Sequence, residues 1–120
     1  MVCLVYMPTS FSVDSGRCDH KTKITAESKG MKISICMTTT CPNVKAYSEI
    51  LKEVDLKKLT NPVLSNPIYI AASGKLGPEC VVPCAVVSAT WTEAGMVSKS
   101  LLKKYKTVSF TYEDADSAQG

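Results

Sequence analysis

The chain has 120 residues and a mass of 13.0 kDa, which is the size of one domain. Apolar residues make up 45% and charged residues 21% of it, which argues against a disordered or collagen-like chain, and no apolar run is long enough to predict a membrane span. The net charge of +3 is too small to indicate a nucleic acid or another charged partner by itself.

Alternating side chains predict strands at the start of the chain. Residues 2–13 are apolar with few charges and are predicted to form a strand that is interrupted near Pro8. Residues 21–28 and 31–37 alternate between apolar and polar side chains on either side of a turn at Gly30. This pattern is typical of a hairpin with one buried face.

The spacing of apolar residues then becomes helical. The first predicted helix carries four of them: Val44, Tyr47, Leu51 and Val54. Residues 56–66 hold two Asn-Pro pairs and are predicted to be a connection, and residues 68–73 are predicted to be a short helix that ends at Gly74. Residues 85–97 are apolar almost all round, which predicts a helix buried against the sheet.

A last strand is predicted where Val108, Phe110 and Tyr112 share a face. The order of elements predicts an α+β fold: a mainly antiparallel sheet of the N-terminal strands plus the C-terminal strand, with two to three helices packed on one face. Residues 1–112 are expected to form this single domain. Residues 113–120 are acidic and small, and are expected to form a flexible tail.

The first residues are apolar, but no Lys or Arg precedes them and Pro8 follows at once, so we expect no secretory signal and a cytoplasmic protein. Disulfide bonds are uncommon in a reducing cytosol. The six cysteines are therefore expected to be small buried side chains, metal ligands or reactive thiols. Cys3 is expected in the core, and Cys36 either at the surface or as a fifth residue of a cysteine site.

Four cysteines are predicted to lie in loops or at the starts of helices: Cys18, Cys41, Cys80 and Cys84. Proline is favoured at the first helical position, so Cys41 is predicted to be an N-cap and Cys84 to lie in the first turn of the buried helix. A helix N-terminus stabilises a thiolate through its free N–H groups and its partial positive charge. Cys18 lies in a polar turn between Arg17 and His20.

Iron–sulfur clusters and structural zinc both take four cysteine ligands, so these four residues are the candidate metal and cofactor ligands. The sequence separations are 23, 39 and 4 residues, without a Cys-x₂-Cys pair, so the fold would have to assemble the site. His20 is either a further ligand or proton carrier beside Cys18, or a partly exposed turn residue.

Five segments together resemble a family: residues 15–18, 33–35, 41–44, 66–69 and 80–84. They resemble a small family of unknown function from methanogenic archaea and other anaerobes, over residues 10–112. The resemblance implies a cytoplasmic, anaerobic setting in which oxygen-sensitive clusters and free thiols survive, and it implies no particular activity. The Asp19-His20 step departs from the family pattern, where glycine and an aromatic residue are more usual.

Thiolate-only ligation and this resemblance favour an iron–sulfur cluster over zinc, with a redox or accessory role beside a larger redox enzyme or in a homo-oligomer. Two alternatives stay open. One is a metal-free thiol redox protein or enzyme, in which Cys84 or Cys41 is the nucleophile and Cys80 resolves it. The other is a non-catalytic interaction subunit with structural cysteines. The basic residues 99–106 are expected to be a solvated helix end, so neither nucleic acid nor a membrane is an expected partner.

Overall fold

A computed structural model describes residues 9–15 and 18–113 of the chain. Three predictions lie outside the described residues: the beginning of the first strand, the core position of Cys3 and most of the acidic tail. Among the residues that are described, four antiparallel strands form one sheet in the order β1 (Thr9–Ser15), β2 (His20–Lys29), β3 (Lys32–Thr39) and β4 (Glu53–Asp55).

The β2–β3 hairpin follows the predicted alternation. Ala26 lies opposite Ile35 in the register, and both side chains are buried, as are those of Ile24 and Ile33 on the same two strands. The turn between the strands uses Gly30 at φ +67°, a left-handed conformation that glycine adopts without the strain of a Cβ. The hairpin with one buried face is therefore confirmed.

Within the described ranges, four α-helices follow or interrupt the strands: α1 (Pro42–Ile50), α2 (Pro67–Ala72), α3 (Val82–Glu93) and α4 (Lys99–Lys104). Each of the first three begins with a proline at its first or second position, where the missing N–H leaves no hydrogen bond unmade. Helix α3 packs against β1 and β2, and α1 packs against β3. The α+β fold, with helices packed against a four-stranded antiparallel sheet, is confirmed.

The first helix is shorter than predicted. It ends at Ile50, because Leu51 leaves the helical conformation, and Val54 lies in β4 opposite Ile33 of β3. Val54 is 3% exposed, so its burial was predicted correctly but the element was not. One buried side chain every three or four residues fits both a continued helix and a short strand that returns to the same core.

The predicted C-terminal strand is wrong. Residues 105–113 have neither helical nor strand structure. Val108, Phe110 and Tyr112 are exposed at 87%, 75% and 84%. Their alternation favours a strand only where a neighbouring strand accepts their backbone hydrogen bonds, and here no such pairing forms. Helix α3 likewise ends before the predicted boundary, since Gly95 at φ +82° follows its last turn.

Glu93, the last residue of α3, joins that helix to the sheet. Its carboxylate accepts a hydrogen bond from Thr9 Oγ1 at 2.6 Å and from the Ser28 backbone N–H at 3.0 Å, and it lies 3.9 Å from Lys99 Nζ. Only 11% of the Glu93 side chain is exposed. Hydrogen bonds to a charged acceptor stabilise a fold more than neutral ones do.

Replacing Glu93 by alanine is therefore expected to lower the free energy of unfolding by about 2 kcal/mol, because Thr9 and Ser28 lose their acceptor. Glu93→Gln keeps one acceptor oxygen and is expected to cost about half as much. Urea titration of the three proteins measures this. Glu49→Ala, at an exposed glutamate of α1, serves as the control and is expected to change stability by less than about 0.5 kcal/mol; equal losses at both positions would contradict the role of Glu93.

Candidate functional site

The four cysteines predicted as ligands are all free thiols: Cys18, Cys41, Cys80 and Cys84. Cys36 in β3 is half-buried and disulfide-bonded, so it is not a fifth thiol of the site. Disulfide bonds are uncommon in a reducing cytosol. The bond at Cys36 therefore does not support the expectation of a cytoplasmic protein.

Cys41 lies where β3 leads into α1. It is the N-cap of α1, in an extended conformation directly before Pro42, as predicted. Its backbone N–H donates to Thr39 Oγ1 at 3.1 Å, while its own side chain makes no capping hydrogen bond. The half-buried Cys41 thiol is therefore not used to stabilise the start of the helix.

Cys80 and Cys84 lie on either side of the start of α3. The Cys80 backbone N–H donates to the Gly77 carbonyl at 3.1 Å, which closes the loop before the helix. The backbone N–H of Val82, the first residue of α3, donates to the Cys80 sulfur. Cys84 lies in the first turn of α3, as predicted, with its side chain exposed.

Three of the thiols line one cavity. Cys18, Cys80 and Cys84 contribute to a cavity of about 570 Å³. Its walls come from β1 (residues 11–14), from the start of α3 and from residues 106–110. This volume is in the usual range for a small-molecule site. Cysteines that are 62 and 66 residues apart in sequence thus meet at one surface of the fold, which sequence separation alone could not show.

Cys80 is the thiol that connects the group. Burial raises the pKa of the Cys80 thiol, the hydrogen bond from Val82 N–H lowers it, and the nearby Cys41 and Cys18 thiols raise it further. The fourth predicted cysteine, Cys41, thus interacts electrostatically with Cys80, although Cys41 does not line the cavity. The net raised pKa of Cys80 means that negative charge forms on its sulfur only at a cost while no cation is near.

Two tyrosines lie beside the cysteines, and sequence reasoning did not assign them to the site. Tyr47 is fully buried and donates from its hydroxyl to the Ile68 carbonyl at 3.0 Å. Burial, and then the nearby Tyr69 and Cys80, raise the Tyr47 pKa above its usual range. Burial and the nearby Cys84 raise the pKa of Tyr69. Helical spacing predicts that Tyr47 is buried but carries no signal for what surrounds its hydroxyl.

Asn66 positions the helix that carries Tyr69. Its side chain caps α2 by accepting from the Ile68 N–H at 3.0 Å, and it donates to the Leu59 carbonyl at 3.1 Å. Because Asn66 is 4% exposed and both hydrogen bonds are satisfied, the second Asn-Pro pair is a rigid junction rather than a loose loop. The predicted connection therefore also fixes one side of the site.

The side chain of His20 forms a hydrogen bond with a threonine and not with a thiol. It is the first residue of β2, is half-buried, and has its Nδ1 atom 3.0 Å from Thr40 Oγ1. Within residues 9–15 and 18–113, no three or more Cys, His, Asp or Glu side chains are close enough together to hold a metal ion as they stand. Whether the four cysteines bind a metal therefore stays a prediction.

Together these features define a small α+β domain with a thiol-lined cavity at the start of its longest helix. No helix of the described part of the chain is long and apolar enough to cross a membrane. The chain belongs to a family of unknown function, DUF6951, whose model matches residues 9–105. No significant match was found among curated proteins or among solved structures. A family of unknown function is thus confirmed, while an archaeal, anaerobic source stays a prediction.

Proposed function

We propose that the protein binds a soft metal centre, an iron–sulfur cluster or alternatively zinc, through the thiolates of Cys18, Cys41, Cys80 and Cys84. The observation that carries the proposal is the position of Cys80, which lines a cavity with Cys18 and Cys84 and interacts electrostatically with Cys41. Four free thiols from three separate parts of the chain are therefore the candidates for one ligand set.

The negative charge of the proposed thiolate ligands favours a bound cation near Cys80. Cysteine binds metal as the thiolate, and thiolates that lie close together repel one another. Burial, and then the electrostatic influence of Cys41 and Cys18, raises the pKa of Cys80. A metal cation would offset the repulsion between the thiolates, since metal binding drives the protons off coordinating thiols. The same arrangement makes Cys80 a poor nucleophile in the absence of metal, because the reactive form of cysteine is the thiolate.

A backbone hydrogen bond also stabilises one of the proposed ligands, Cys80. The Val82 N–H donates to the Cys80 sulfur, and α3 begins at Val82. Hydrogen bonds to sulfur stabilise a thiolate ligand and influence the reduction potential of a bound cluster. This hydrogen bond supports the proposal that Cys80 is a metal-bound thiolate.

In this proposal the exposed thiols move to complete the metal site. Cys18 and Cys84 are exposed, and exposed side chains change rotamer on the picosecond to nanosecond scale. Cys41 and Cys80 are half-buried and are held by the backbone contacts at the starts of α1 and α3. The two half-buried thiols would set the position of the metal, and the two exposed thiols would complete the ligand set.

A bound cluster would supply electron transfer or cluster delivery, in support of a larger redox enzyme or within a homo-oligomer. The experiment is elemental analysis of protein that is isolated without oxygen. Iron and acid-labile sulfide in similar amounts, with a brown colour, would support a cluster, and stoichiometric zinc in a colourless protein would support a zinc site. Protein without iron, zinc or sulfide that also fails to take up either metal would reject the proposal.

A second candidate function is thiol redox chemistry without metal. It is favoured by the exposed Cys84 in the first turn of α3, with Cys80 four residues before it in the same cavity. In this case metal-free protein should contain one thiol that reacts with iodoacetamide much faster than the other three at pH 7. Equal, slow reaction of all four thiols would leave this candidate without support.

A further inference from the structure

The wall of the thiol cavity formed by residues 106–110 differs from the other walls. Most of the other lining residues belong to β1 and α3, which are regular elements of the fold. The rest, Cys18 and residues 79–81, lie within three residues of the starts of β2 and α3. Residues 106–110 have no regular secondary structure. We call these five residues the cover segment.

The cover segment is weakly attached to the domain. Val108 and Phe110 both line the cavity, yet they are exposed at 87% and 75%. The hydrophobic core of the described residues, with the side chains packed against it, contains nothing beyond Ala94. The family match also ends at residue 105, directly before the cover segment. The core of the described residues and the family match therefore both end before this wall.

We propose that the cover segment is a movable cover that controls access to Cys80. Few buried apolar contacts and a lack of regular hydrogen bonding are the properties of segments that open at low free-energy cost. When the segment lies over the cavity, it shields the Cys80 thiol from solvent and reagents. When the segment moves away, the thiol becomes accessible. This holds whether or not a metal binds, because it concerns access to the thiol and not the group that the thiol holds.

The structure contains a matched pair of thiols for testing this. Cys80 and Cys41 are both half-buried, but Cys80 lines the cavity below the cover segment and Cys41 does not. A change that loosens the cover should therefore affect Cys80 and leave Cys41 unchanged. The exposed Cys18 and Cys84 should react rapidly in every variant and consequently show smaller changes.

The test uses full-length, metal-free protein in which Val108 and Phe110 are both replaced by serine, so that the apolar contacts of the cover segment are lost. The rate of iodoacetamide alkylation at each cysteine is measured by peptide mass mapping. We expect alkylation of Cys80 to accelerate roughly threefold to tenfold. The effect is modest because Val108 and Phe110 bury only a small part of their side chains. The rate at Cys41 should stay unchanged.

Tyr112→Ser is the matched control, because Tyr112 is exposed to a similar degree but does not line the cavity. It should leave the rate at Cys80 as in the unmodified chain. An unchanged Cys80 rate in the double variant, the same acceleration in Tyr112→Ser, or equal acceleration of Cys41 and Cys80 would each overturn the proposal. Thermal unfolding of each variant shows whether equal acceleration comes from loss of the fold.

Discussion

Replacement of Cys80 by serine is expected to remove the metal from the anaerobically isolated protein. Cys80 interacts with Cys41 and Cys18 and also shares the cavity with Cys84. A serine hydroxyl stays protonated at neutral pH and is a poor ligand for soft metals, which prefer thiolates. Loss of an outer-shell partner already weakens metal binding about 10- to 100-fold, so loss of this ligand should weaken it by about 100-fold or more.

The measurement is the amount of metal per chain, determined by elemental analysis after loosely bound ions are removed. Ala85→Ser is the control, because Ala85 lines the same cavity and the change adds the same hydroxyl without removing a thiol. The control should keep the metal content of the unmodified chain. Full metal content in the Cys80→Ser protein would contradict the central role of Cys80, and with it the proposed ligand set.

The second large effect is expected at Tyr47. Its ring is fully buried in the core, and its hydroxyl donates to the Ile68 carbonyl at 3.0 Å. Tyr47→Ala should lower the free energy of unfolding by about 4 kcal/mol, since it leaves a large cavity, which is a large share of the about 5–15 kcal/mol typical of a domain. Tyr47→Phe keeps the ring and should cost about 1–2 kcal/mol for the unsatisfied carbonyl.

The pH dependence separates the hydroxyl from the ring. Because burial raises the Tyr47 pKa in the folded protein, the tyrosine in the unfolded chain loses its proton first, above a pH of about 10. The stability that the neutral hydroxyl contributes is complete below that pH and declines as the pH rises. The difference between the unmodified chain and Tyr47→Phe should therefore narrow by about 1.4 kcal/mol per pH unit above pH 10.

Urea titrations of both proteins between pH 7 and pH 11 measure this narrowing. Tyr105→Phe, at a tyrosine that is 61% exposed, serves as the control and should change stability by less than about 0.5 kcal/mol at pH 7. A constant difference between Tyr47→Phe and the unmodified chain across this range would show that the Tyr47 hydroxyl ionises as easily in the fold as in the unfolded chain.

Local patterns in the sequence were sufficient for much of the fold and for part of the site. The β2–β3 hairpin follows from alternation on either side of Gly30, and Cys41 as the N-cap of α1 follows from the proline after it. The first-turn position of Cys84 has the same origin. These features depend on residues only a few positions apart, and backbone preference acts over that range.

Other features depend on contacts between distant residues. Val54 lies in a short strand and pairs with Ile33 instead of continuing the helix. The alternating residues 108–112 pair with none of the described strands. Periodicity tells which side chains are to be buried, but not which element will bury them. The group of thiols around Cys80, and the tyrosines beside it, arise in the same way from packing of α1, α2 and α3.

The sequence by itself therefore determined the α+β class, the hairpin and the positions of four cysteines in turns and at helix starts. Only the tertiary structure decided that Cys18, Cys80 and Cys84 share a cavity, that Cys41 interacts electrostatically with Cys80 and that residues 106–110 form a wall. The physical reason is that secondary structure follows short-range backbone and side-chain preferences. The meeting of side chains 62 residues apart follows instead from how apolar faces pack together to leave water.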